Sequence, residues 1–377
     1  MTPFRTPSPA RARGMTLVEL MVAMAIGLLV ILVAVAALSA GQQGFRTVDN
    51  TTGIRDQQRF AVDLMSKVVR QAGFENVGTQ VPATRRMELK AGRGDAYEPD
   101  IYGWNNAVYA QPSDMVLSEI TNITNGNRVS KCGSNTDTSC VNGSDILVVR
   151  FQGASAGLAA DGTPNSSPDN SMIDCAGNGV SASLPDTGGR PDLLYRPASV
   201  LYVQRNTTSG EPSLMCASYR LTAANTWGWS VTPLIQGVES LQVLYGTSGV
   251  TPGTAVPAST EAETTTQSST TGAYTRPTDQ ITLDRWLRAD QLTVAGDPVG
   301  TRRNWRQVRA VKIGLVMRGD RGSAQEAGPV LYPLGAQYVP ATATDDPFTQ
   351  FTPPSDGRLR QTTSFTVYLP NWLSLNN

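Results

Sequence analysis

The sequence predicts an α+β fold: a long N-terminal helix, half in membrane and half amphipathic, packed on a mainly antiparallel β-sheet globular head. Three observations predict it. Residues Leu20 to Leu38 form an unbroken uncharged run. The stretch 41–72 then repeats its apolar residues at three, four and seven, the period of a helix face. From residue 74 onward the period drops to two, and turns rich in Gly, Asn, Asp and Pro separate short apolar runs.

The first element begins with a leader, residues 1–14, carrying Arg5, Arg11 and Arg13 and no acid. Its apolar run of 19 residues would span about 28 Å as a helix, close to a hydrocarbon core. Arginines on the near side predict that everything past about residue 42 is exported, since basic flanks stay cytoplasmic. An ordinary secretory signal is cut after its apolar region. Here no A-x-A site follows Leu38, and the small residue, Gly14, comes before the run. Cleavage there would discard the leader and keep the membrane helix. Glu19 stands at the mouth of that helix, where an ionisable group is costly and usually functional. A plain single-span anchor with a headgroup-level glutamate is the simpler reading.

The helix reads on from a membrane and assembly half, 15–40, into an amphipathic half, 41–73. Ile54, Ala61, Leu64, Met65, Val68 and Ala72 mark its apolar stripe, and Gly73 its stop. Gly41, Gly44 and Gly53 are weak points. The head, 74–377, then carries strands over 145–151, 199–205, 213–221, 240–246, 308–318 and 363–369. The Thr/Ser-rich tract 247–272 has almost no large apolar side chain and reads as an exposed mobile loop within the head. A second loose region covers 154–190. Its carboxylates Asp161, Asp169 and Asp174 evoke calcium, but their spacing matches no calcium loop. "RGDRG" at 318–322 reads as a turn.

Composition narrows the function. Histidine is absent and the net charge is zero. The first removes Ser-His-Asp and Cys-His catalysis and the commonest metal ligand; the second gives no electrostatic case for direct nucleic-acid binding. No phosphate-binding glycine loop is present. The expectation is a protein that is not an enzyme and carries no cofactor or metal. The four cysteines, Cys132, Cys140, Cys175 and Cys216, lack CxxC spacing. Behind a membrane-targeting segment they suggest disulfides. Of three pairings, Cys132–Cys140 with Cys175–Cys216 joins sequence neighbours; four buried thiols is the alternative.

"RGMTLVELMVAMAIGLL" resembles the class III leader of type IV pilins and type II secretion pseudopilins. The resemblance implies that a prepilin peptidase cuts after Gly14 and methylates Met15. It also implies that Glu19 serves assembly by pairing with the N-terminus of a neighbouring subunit. Low dielectric would strengthen that pair and penalise an unpaired carboxylate. Further segments, "RFAVDLMSKVVRQAGF" (59–74), "SLMCASYRL" (213–221), "LIQGVESLQVLYG" (234–246), "WRQVRAVKIGLVMR" (305–318) and "LRQTTSFTVYLPNW" (359–372), resemble the large minor pilins of the PilW type. Many members of that group have Arg where this chain has Pro370. The resemblance implies a minor pilin that primes pilus assembly in the bacterial inner membrane and rides to the tip of the pilus, supporting twitching motility or adhesion. Its implied partners are other minor pilins, the major pilin and a tip adhesin. A minor pseudopilin of a type II secretion system is the alternative, ahead of a membrane-anchored enzyme or ligand-binding module.

Overall fold

The uncharged run and the amphipathic stretch form one helix, α1 (Leu17–Arg70), about 80 Å long at 1.5 Å per residue. The computed structural model describes residues 15–74, 99–109, 141–157, 167–182, 196–206, 209–221, 227–257, 283–324, 326–340 and 346–371. The three weak-point glycines do not break α1. Gly73 follows its end with φ +72, and its N–H donates to Arg150 O. That left-handed backbone suits glycine.

Among the described residues nine strands follow: β1 (Ile101–Trp104), β2 (Ile146–Arg150), β3 (Ala198–Arg205), β4 (Pro212–Leu221), β5 (Trp227–Gln236), β6 (Val238–Thr247), β7 (Arg285–Leu287), β8 (Val308–Arg318) and β9 (Arg360–Tyr368). Two short helices, α2 (Ala289–Leu292) and α3 (Pro298–Arg306), lie between β7 and β8. All described pairings are antiparallel. They build a five-stranded sheet, β1-β2-β3-β4-β5, and a four-stranded sheet, β7-β6-β8-β9. Strand β6 crosses between them, with all ten residues buried and contacts to β2, β3 and β4 of the other sheet. Burial on both faces explains why its alternation is faint in sequence.

One carboxylate stitches the sheets together. Asp145, at the start of β2, accepts from Asn106 N–H (2.9 Å) beside β1 and from Val243 N–H (2.8 Å) in β6. Burial, and then the charge of Asp346, push the Asp145 carboxyl well above its ordinary range, although the two N–H donors oppose this. Burial likewise pushes Asp346 from 3.8 up to about 6, against the charge of Arg288 and a backbone hydrogen bond from Phe348. The folded chain therefore binds more protons than the unfolded chain between those values. Wild-type stability should rise as pH falls through that window. Asp346→Asn should stabilise the head at pH 7.5, with a gain that shrinks toward pH 4.5. Urea midpoints at both pH values, followed by the fluorescence of buried Trp305, measure this.

The tract 247–272 is not one exposed loop. Thr247 closes β6, and Thr247, Ser248, Val250 and Val256 are buried. The side chain of Asn304 in α3 accepts from Val256 N–H (3.0 Å) and donates to Thr254 O (2.9 Å). Hydrogen bonding to α3 thus replaces the missing large apolar side chains. Residues 258–272 lie outside the described residues. The loose region 154–190 is also partly built, with bridges Ser155–Pro168 and Ile173–Gly179. Asp169 accepts from Ser171 N–H (2.8 Å), and Asp174 accepts from Ala176 N–H and Asn178 N–H while pairing with Arg220 (3.3 Å). Both carboxylates thus order their own turns; Asp161 lies outside the described residues.

Candidate functional site: the N-terminal helix and its seat

The helix starts on a reciprocal cap. Thr16 is extended, and its Oγ1 accepts from Glu19 N–H (3.2 Å). Glu19 Oε2 accepts in return from Thr16 N–H (3.0 Å) and from its hydroxyl (3.2 Å). Two otherwise orphaned donors are satisfied, and a negative charge sits at the positive end of the helix dipole. The T-x-x-E spacing of "TLVE" is the sequence signal for this box, and it escaped the reading of Glu19 as an assembly residue alone. The hydrogen-bonded N–H belongs to the Met15–Thr16 peptide, so a cut after Gly14 leaves the box whole.

Leu17–Gln42 has mean hydropathy 3.0 and no part buried. Among the described side chains, none from Met15 to Asp49 is buried. Exposed Leu, Ile, Val and Met over 26 residues require an apolar surrounding, and the length fits a bilayer with some tilt.

The second half of α1 is seated on the head. Ile54, Ala61, Met65, Val68, Val69 and Ala72 are buried and Leu64 partly so, against β8 and β9. Polar clamps hold both ends of this seat. Near its start, Asn50 Oδ1 accepts from Asp320 N–H (2.8 Å), in the "RGDRG" turn. At its end, Asn371 Nδ2 donates to Arg70 O (3.0 Å) and Ala72 O (3.1 Å). Gln71 clasps Ile173 by accepting from its N–H (2.8 Å) and donating to its carbonyl (3.0 Å). Two residues on, Cys175 is joined to Cys216 of β4, both fully buried. The disulfide thus fixes the turn that holds the helix end.

The structure does not gather the residues singled out from sequence into one place. Met15 and Glu19 lie at the exposed start of α1, about 80 Å of helix from the Cys175–Cys216 bridge. Gly14, Cys132 and Cys140 lie outside the described residues, and the Cys132–Cys140 pairing with them. The site is therefore an extended surface rather than a pocket: a capped apolar rod projecting from a head that grips only its far half.

Residues 9–35 match the family model of the prokaryotic N-terminal methylation motif, and residues 200–371 match the model described as Type IV Pilus-assembly protein W. A type IV-like pilin from Thermus thermophilus is 12% identical, covering 85% of this chain and 97% of its own, at a TM-score of 0.32. None of the curated proteins matches. A methylation motif on a membrane-length helix that runs into an antiparallel head makes this a type IV pilin-like protein, anchored by that helix. Within that class the chain is PilW-like over residues 200–371, a likeness that supports a pilus-related minor pilin.

Proposed function

We propose that this minor pilin primes pilus assembly in the inner membrane and travels to the tip of the pilus. The apolar half of α1 crosses the bilayer once, with residues 1–14 cytoplasmic and the head periplasmic. A prepilin peptidase cuts after Gly14 and methylates Met15. Other minor pilins and the major pilin pack against the rod, and a tip adhesin caps the complex. The role is structural, not catalytic, and serves twitching motility or adhesion.

The observation that carries this reading is the capping box. Both Thr16 donors fall on Glu19 Oε2, which leaves Oε1 able to accept from a neighbour's N-terminal ammonium. The charge at the mouth of the rod is thereby held in place before a partner arrives, and the pair it forms in low dielectric favours subunits in register. The match over residues 200–371 to a pilus-assembly model favours the pilus over a type II secretion system.

Intact mass of the protein from its native host tests the processing. The expected chain lacks residues 1–14 and carries one methyl group on Met15, and Gly14→Ala abolishes both changes. An uncut wild-type chain overturns the reading.

A further inference from the structure

Among the described residues the two sheets end in four edge strands, and three of them are blunted. Strand β7 has three residues and β1 four. Strand β5 has ten, but it contains Pro233 and sits opposite a register shift at Leu214/Met215. Short strands, bulges and edge prolines are the usual devices against unwanted pairing. Strand β9 has none of them. Its nine residues, RQTTSFTVY, pair with β8 without a register shift and contain neither Pro nor Lys.

The pattern of the β8–β9 ladder identifies the open groups. Leu369 N–H donates to Arg309 O and Gly319 N–H to Leu359 O, one beyond each end of the ladder. Both contacts belong to the register in which Phe365 faces Ile313. In an antiparallel pair the hydrogen-bonded residues alternate. The odd residues of β9 therefore bond β8, and Thr362, Ser364, Thr366 and Tyr368 turn N–H and C=O to the open edge. Among the described residues, none bonds those main-chain groups. The side chains of Ser364, Thr366 and Tyr368 are themselves exposed. The strand also runs along the seated half of α1, from the Asn50 clamp to the Asn371 clamp.

We propose that the outer edge of β9 is a docking strand, to which another pilus subunit adds an extended segment of its own main chain. This rests on the pilus role proposed above. Alternating donors and acceptors at strand spacing are matched only by another extended backbone. The short hydroxyl side chains of Thr362, Ser364 and Thr366 favour Thr, Ser or β-branched residues opposite them. A strand added here lies alongside α1, so one neighbour engages both the rod and the head.

Amide hydrogen exchange on the full-length chain in purified pili, against the same chain alone in detergent, tests this. The amides of Thr363, Phe365 and Val367 should be slow in both. Those of Thr362, Ser364, Thr366 and Tyr368 should be fast in detergent and slowed on the order of a hundredfold in pili. Thr366→Pro removes an outward N–H that β8 does not use. It should cut recovery of the chain in pili about tenfold while its level and its disulfide stay normal; Thr366→Val should assemble as wild type. A chain in pili whose four amides remain fast overturns the inference alone. Protection already present in detergent, in a monomer covered by its own chain or in a dimer of the chain, overturns it too. A chain absent from pili overturns the pilus role and the inference together.

Discussion

Glu239→Ala will cost the head about 3–5 kcal/mol, because it leaves the buried guanidinium of Arg360 and the largely covered one of Arg318 short of their shared carboxylate. Glu239 Oε1 accepts from Arg318 Nη1 (2.7 Å) and Arg360 Nη2 (3.1 Å), and its Oε2 accepts from Arg360 Nε (2.5 Å). The Glu239 side chain is 5% exposed and that of Arg360 2%. Around this centre Arg360 also binds Asp356, Arg318 binds Glu211, and Arg358 Nη2 reaches Glu211 at 3.1 Å. Asp356 and Glu211 are about a third exposed, so truncating either should cost at most about 1 kcal/mol. The contrast is the test: urea midpoints of the full chain in detergent should fall far more for Glu239→Ala than for Asp356→Ala. Equal shifts would show that the buried centre is not what matters.

The same network has an acid limit. Burial opposes ionisation of Glu211, but the hydrogen bonds and charges of Arg318 and Arg358 win and hold it below its ordinary range. A hydrogen bond from Arg360 does the same for Asp356. Depressed carboxylates stabilise the fold above their unfolded values, near pH 4, and lose that contribution as pH falls through the folded ones.

Replacing Cys175 and Cys216 together by serine will destabilise the head by about 4 kcal/mol if loop closure dominates. The bridge closes a separation of 41 residues. The loss will also spread to the helix, because the turn it anchors carries Ile173, the partner of Gln71. Denaturant midpoints report the first effect, and faster amide exchange over residues 66–73 reports the second. An unchanged midpoint with normal exchange at the helix end would refute both.

Much of this architecture is legible in the sequence. The helix announces itself by period, and the strands over 146–150, 198–205, 212–221, 238–247, 308–318 and 360–368 by short apolar runs between turns, even where, as in β6, the alternation is faint. Strand β5 does not: "WGWSVTPLIQ" has no clean alternation and a proline, which an edge tolerates. Helix α3 is also hidden, because "PVGTRRNWR" is polar along most of its length. Its start signal was nonetheless written: Asp297 caps it by accepting from Gly300 N–H (2.8 Å), and Pro298 occupies the first turn. Glu239 and Gln242 look like surface residues yet are buried, because β6 is enclosed on both faces. Contacts such as Asn50 with Asp320, 270 residues apart, leave no local trace. Of the candidate site, the rod, its acid and the T-x-x-E signal of its cap are written in the sequence, while the clamps are not.

The double clamp on α1 has a mechanical consequence. A pull on the rod along its axis does not peel it from the head one contact at a time. Asn50, the apolar stripe and Asn371 lie along the line of force and are loaded together, in shear. Resistance to such a pull is set by the rate of forced rupture rather than by equilibrium stability. A head attached this way can stay in place on a filament under tension even when its resting stability is modest.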